Sequence, residues 1–192
     1  MPVGCRRAAA MKSGVRLKVD KAQSLLEALK TLGNRDVLVG IPAADSARDD
    51  VPFGNAGIGY INEHGSPAQN IPARPHLQPG VKSVQDKTLP LLKQAALFTL
   101  DGNISGAERL LNQAGATATD GVRRFITASN FIPLADSTVA ARARRGRKGA
   151  KAELESRAAG NAPDNANARP LIDTGQYRRS ITYVVRDKNA KS

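Results

Sequence analysis

Pro67, Pro72 and Pro75 fall within residues 66–76. Proline fixes φ, lacks a backbone N–H and pushes the residue before it out of the helical region. That stretch can be neither a helix interior nor a central strand, and it is expected to be extended and stiff. It separates a front part of short runs from a rear part dominated by helical patterns. In front, Val15, Leu17 and Val19 alternate with Arg16 and Lys18, the pattern of a half-buried strand. Asp20 can cap a helix, with Gln23 placed to answer it. Leu25, Leu26, Leu29 and Leu32 form one face of that helix, and Gly33-Asn34 ends it. Val37, Val39 and Ile41 form a second strand, stopped by Pro42. Residues 42–56 read as a long loop, and residues 58–64 as a short helix closed by Gly65.

Behind the proline stretch, Val81, Val84, Leu92, Ala95 and Thr99 follow a helical pattern. Pro90 interrupts it, which predicts a kink or two pieces. Asp101-Gly102-Asn103 is a stop, and Ser105 with Glu108 forms a capping box for the next helix. That helix presents Leu111, Ala114, Ala118, Val122 and Phe125 on one face, where Gly115 and the alanines permit close packing. Late in the chain, Asp173 or Thr174 caps a short helical turn, and Ile181, Tyr183 and Val185 alternate as a last strand. The expected organisation is a flexible arm (1–13), an α+β core (14–134), a basic, low-complexity extended arm or insertion (135–168), a returning turn and strand (169–186) and a polar tail (187–192).

Composition narrows the function classes. The 192 residues carry a net charge of +12, which favours an anionic partner, nucleic acid or an acidic protein surface. Aromatics are scarce, Trp is absent and alanine supplies much of the apolar count, so the core is expected to be modest. Cys5 is the only cysteine, which rules out an intrachain disulfide. No apolar run approaches the roughly 18 residues of a spanning helix, and no apolar signal core follows Arg6 and Arg7. The expectation is a protein made in a cytoplasm, with no membrane partner.

Catalytic patterns are sparse. Glu63, His64 and His76 are the one possible metal or acid–base cluster, but a zinc site needs three or four ligands in a fixed geometry. No G-x-S-x-G elbow occurs. Gly54, Gly57 and Gly59 suggest a phosphate loop only superficially, because no Lys-Ser/Thr follows, so a flexible loop is expected there. No catalytic, cofactor or metal site is assigned. Arg142, Arg144, Arg145, Arg147, Lys148 and Lys151 form a run without an acid, able to contact phosphates or an acidic partner. Arg74, held between Pro72 and Pro75, presents its guanidinium in few directions, as suits a buried ion pair or a subunit contact.

Two segments carry a resemblance. One holds Asn62-Glu63-His64-Gly65 and Ile71-Pro72-Ala73-Arg74-Pro75-His76; the other runs Pro170-Leu171-Ile172-Asp173-Thr174-Gly175-Gln176-Tyr177-Arg178-Arg179-Ser180-Ile181. In this order, with helices between, they resemble the head–tail joining and tail-completion (neck) proteins of tailed phages, over about residues 35–186. His64 and His76 stand where the motif usually has Phe, and Tyr177 where it usually has Leu. The resemblance implies an α+β fold with a small mixed β-sheet packed against two long α-helices. It implies no catalysis and a homo-oligomeric ring, sixfold, at the head–tail junction of the virion, assembled in the host cytoplasm. Neighbouring neck, connector or tail-tube proteins would be the partners, with non-specific contact to genomic DNA. Glu63, His64, Arg74, His76, Asp173, Tyr177, Arg178 and Arg179 would hold subunits together or brace the fold. The alternative is a basic nucleic-acid-binding protein that clamps phosphates with the Arg-rich arm.

Overall fold

The computed structural model describes residues 22–48 and 53–188. The strand expected at Val15, Leu17 and Val19, the Asp20 cap, Cys5 and the arm at 1–13 lie outside them. The fold is α+β: among the described residues, eight α-helices and one two-stranded antiparallel sheet. Helix α1 (Ala22–Gly33) leads directly into β1 (Arg35–Gly40), which pairs with the final strand β2 (Thr182–Asp187) from Arg35 opposite Asp187 to Gly40 opposite Thr182. Period-two alternation gives the sheet two faces. Val39 packs on the core, and its partner Tyr183 lies over α5 (Ile104–Ala128), where a Cβ at Gly115 would come within 2.3 Å of the ring. The opposite face leaves the cross-strand pair Leu38 and Val184 exposed.

Helix α5 is the spine. It packs against α3 (Leu77–Lys82), α4 (Gln85–Leu100) and both strands. Its start is capped by Asn103, whose Oδ1 accepts from Gly106 N–H at 2.9 Å. The expected Ser105–Glu108 box does not form, because Glu108 reaches across to Arg35 at 3.0 Å. Small residues set the spacing of α3 and α5. A Cβ at Gly80 would meet Val122 Cα at 2.6 Å, so the two backbones touch there. Val122 and Ile126 of α5, with Tyr177 and Ile181, form the main buried cluster.

The expected interruption at Pro90 falls elsewhere. Ser83 Oγ donates to Gly80 O at 2.7 Å and ends α3, whereas α4 runs unbroken through Pro90. Pro90 sits early in α4 on its exposed side, where the carbonyl that loses a donor faces water. Gly54, Gly57 and Gly59 lie not in a loop but in α2 (Gly54–His64), which Gly65 closes at φ 78°.

Residues 135–168 depart most from expectation. They form a helical hairpin, α6 (Asp136–Arg144) and α7 (Lys148–Ala158), followed by a return loop. Leu134, Val139, Ala150 and Ala168 make a small second core, flanked by Ala143 and Leu154. Short alanine-rich helices bury little area each, so polar bracing completes the unit. Arg157 donates to Glu153 Oε1 at 2.8 Å, Asp136 Oδ1 at 2.5 Å and Leu134 O at 3.0 Å. Glu153 is itself buried, and these bonds offset the cost of removing its charge from water. A charge run beside low-complexity sequence reads as an extended arm because none of these partners is visible as a periodic pattern.

Candidate functional site

The two motif segments meet. His76, which opens α3, and Tyr177, in the first turn of α8 (Gln176–Ser180), are 101 positions apart and join side chain to side chain at 2.5 Å. His76 is fully buried and Tyr177 nearly so. Burial holds the His76 imidazole below its ordinary pKa, against the pull of the Arg74 carbonyl and Glu63. The neutral ring has one donor and one acceptor. Nδ1 lies 2.8 Å from Arg74 O, which can only accept, so Nδ1 carries the proton and Nε2 accepts from the Tyr177 hydroxyl. Burial likewise pushes the Tyr177 phenol up and keeps it protonated as the donor.

Glu63, from the last turn of α2, completes this clasp. Its Oε2 accepts from the backbone N–H of His76 at 2.8 Å and of Leu77 at 3.0 Å, and lies 3.1 Å from His76 Nδ1. A carboxylate here satisfies N–H groups at the start of α3 that have no partner in the helix. His64 is exposed and lies against the Tyr60 ring, 4.6 Å between centroids.

Arg74 is buried, and its partners among the described residues are backbone carbonyls, not the carboxylate of an ion pair. Nε donates to Ile132 O at 3.0 Å and Nη2 to Pro133 O at 3.2 Å. A fork of fixed N–H donors suits two successive carbonyls, and it pins the segment that leads into α6. Arg74, His76 and Tyr177 thus brace the fold within the chain.

The basic run divides in the same way. Arg142 donates from Nη1 to Arg169 O and Ile172 O, each at 2.8 Å, and burial lowers its pKa. Arg145 and Arg147 hold the two carboxylate oxygens of Asp173, each at 2.9 Å. These three were expected to face DNA or an acidic partner; Arg142 is turned inward onto the return segment, whereas Arg145 and Arg147 stay 58% and 42% exposed while paired to Asp173. Arg144, Lys148 and Lys151 are exposed, and their side chains make no hydrogen bond or ion pair among the described residues. Asp173 does not cap α8; Gln176 N–H instead donates to Thr174 Oγ1 at 3.2 Å. Arg178 donates to Thr127 Oγ1 at 2.8 Å, and the exposed Arg179 to Thr174 O at 3.4 Å.

Three arginines outside both motifs share this habit, donating to carbonyl oxygens. Arg123 reaches Ile181 O at 2.7 Å, Arg169 reaches Thr127 O at 2.6 Å, and Arg157 reaches Leu134 O. Their partners are backbone groups distant in sequence, which leave no spacing to read.

Between the clasp and the hairpin lies an open cavity of about 820 Å³. Phe53, Ile58, Ile61, Pro72 and Leu171 give it apolar walls, and Arg74 and Arg142 a cationic edge. Every nitrogen of the His76 ring is engaged, so the clasp holds no free base beside a nucleophile. Among the described residues no three of His, Cys, Asp and Glu converge as metal ligands, and no helix is long and apolar enough to cross a membrane. The chain matches no protein-family model, no curated protein and no solved structure.

Proposed function

We propose that this chain is a structural protein of the neck of a tailed phage, a tail-completion or head–tail joining subunit that assembles as a sixfold ring around the DNA channel and connects tail to head. One observation carries the reading. The motif segments depart from their usual residues at His64 and His76 (for Phe) and at Tyr177 (for Leu), and two of these three side chains, His76 and Tyr177, touch. Two of the three departures therefore meet in one hydrogen-bonded pair that joins the two segments. Chance resemblance of two unrelated segments gives no reason for their odd residues to meet.

Other features support association with a neighbour. Helix α1 packs on α4 and leaves Leu25, Leu26 and Leu29 about half exposed, beside the exposed Leu89, Leu92, Leu97 and Leu100 of α4. Contiguous exposed apolar surface marks protein interaction. A heterologous contact repeated around an axis closes into a ring. The length of α4 and α5 and the contact of α5 with both strands support the implied fold, although the described sheet is antiparallel where a mixed one was expected. The test is mass photometry of the purified chain at low and high salt, with and without duplex DNA. A discrete multi-subunit species without DNA is expected. A monomer that shifts only with DNA, and reverses with salt, would replace this reading with the nucleic-acid-binding one.

A further inference from the structure

We infer that Arg144, Lys148 and Lys151, at the turn of the α6–α7 hairpin, form a phosphate-contacting surface for the backbone of duplex DNA. The inference does not require the ring; it asks only that this turn meet a duplex. It rests on how the structure sorts one charge run. Six cations occupy residues 142–151, and three of them are spent on Asp173 and on backbone carbonyls. Asp173, the acid that faces the turn, is taken up by Arg145 and Arg147. Arg144, Lys148 and Lys151 are left exposed and unpaired among the described residues.

Stability does not account for the two lysines. Arg144 closes α6, where the helix dipole favours a cation. Lys148 and Lys151 lie in the first turn of α7, where the same dipole opposes one, and no acid stands in that turn. Spaced i, i+3, they share one side of the helix. Their bases are rigid: Arg142 and the Asp173 pair tie the hairpin to the return segment, and Asn167 O presses on Gly149, where a Cβ would come within 2.2 Å.

The surface fits a phosphate backbone better than an acidic protein. A protein interface needs a desolvated apolar or aromatic centre with charges at its rim. The large exposed apolar side chains lie elsewhere, and none falls within residues 136–158. Contact to phosphates needs cations alone, and it reads no base sequence.

The test measures binding of a short random-sequence duplex by fluorescence anisotropy across a salt series. It compares the wild type, R144Q/K148Q/K151Q, and a charge-matched control on the exposed lysines of α3 and α4, K82Q/K87Q/K93Q. The tip variant should weaken binding by about tenfold or more at ~50 mM salt and reduce the log K against log salt slope by about 2–3, at ~0.9 per lost contact. The control should retain most of the affinity. A second variant, K148E, should also bind less than wild type while melting no lower, because the dipole favours its charge, so lost binding is not lost folding. Equal losses in tip and control variants, an unchanged slope, or no wild-type binding would overturn the inference. So would displacement of DNA by polyglutamate at matched charge, which would assign the surface to an acidic protein. Because oligomeric state is measured separately, failure here leaves the ring reading standing, and the reverse.

Discussion

Changing Tyr177 to Phe deletes one hydroxyl and leaves the ring in place. The hydroxyl donates to His76 Nε2 at 2.5 Å, with His76 fully buried and Tyr177 6 % exposed, so the bond lies out of bulk water. An orphaned buried acceptor of this kind costs about 1–3 kcal/mol. His76→Phe orphans two groups, the Tyr177 hydroxyl and the Arg74 carbonyl that Nδ1–H serves, and should cost about 2–4 kcal/mol. The double variant H76F/Y177F removes both ends of the His–Tyr bond and leaves only the Arg74 carbonyl without its donor. It should therefore be more stable than the sum of the singles predicts, by a coupling of about 1–3 kcal/mol. Urea unfolding of the four proteins at neutral pH, with midpoints compared at constant m, measures the cycle directly. Additivity to within about 0.5 kcal/mol would refute the argument, because bonded partners in one buried pair must couple.

Three further outcomes follow from the same structure. Burial holds His76 below its ordinary pKa of 6.5, so the unfolded chain takes up that proton first; the neutral pair's stability is complete above about pH 6.5 and declines as pH falls from there through the depressed folded value. Urea midpoints measured down this range should drop for the wild type, and that component should vanish in H76F. Arg142→Ala should cost about 2 kcal/mol and loosen the hairpin first, read as faster hydrogen exchange across residues 136–158 than in α5, because the Arg169 and Ile172 carbonyls lose their shared donor. Gly80→Ala should cost about 1–3 kcal/mol and lower the melting temperature, because the new methyl would stand 2.6 Å from the Val122 Cα and must push α3 off α5.

What was legible in the sequence was what periodicity carries. Val37 and Val39 on β1, Tyr183 and Val185 on β2, and Ala114, Ala118 and Val122 on α5 show their faces through spacing alone. The proline stretch was legible only in part: Pro67–Gln69 forms a 3-10 turn where an extended chain was expected, and Arg74 is buried on carbonyl oxygens where an ion pair or a subunit contact was expected. Features decided by distant partners were hidden. Asn103 took the cap of α5 from Ser105 because Glu108 is drawn away to Arg35. The hairpin at 136–158 reads as an arm because its arginines fold it by binding carbonyl oxygens and Asp173, none of which lies close in sequence. Glu63 and His76 read as a meagre metal cluster, and their actual work, capping α3 and gripping Tyr177, needed the two segments to be brought together.

The central claim is assembly into a ring that surrounds DNA. Electron-microscopy class averages of the purified chain test it most directly. Rotationally symmetric particles with an open central channel are expected, unchanged in symmetry by the R144Q/K148Q/K151Q variant. Monomers in every condition, or a two-fold dimer with no channel, would contradict it.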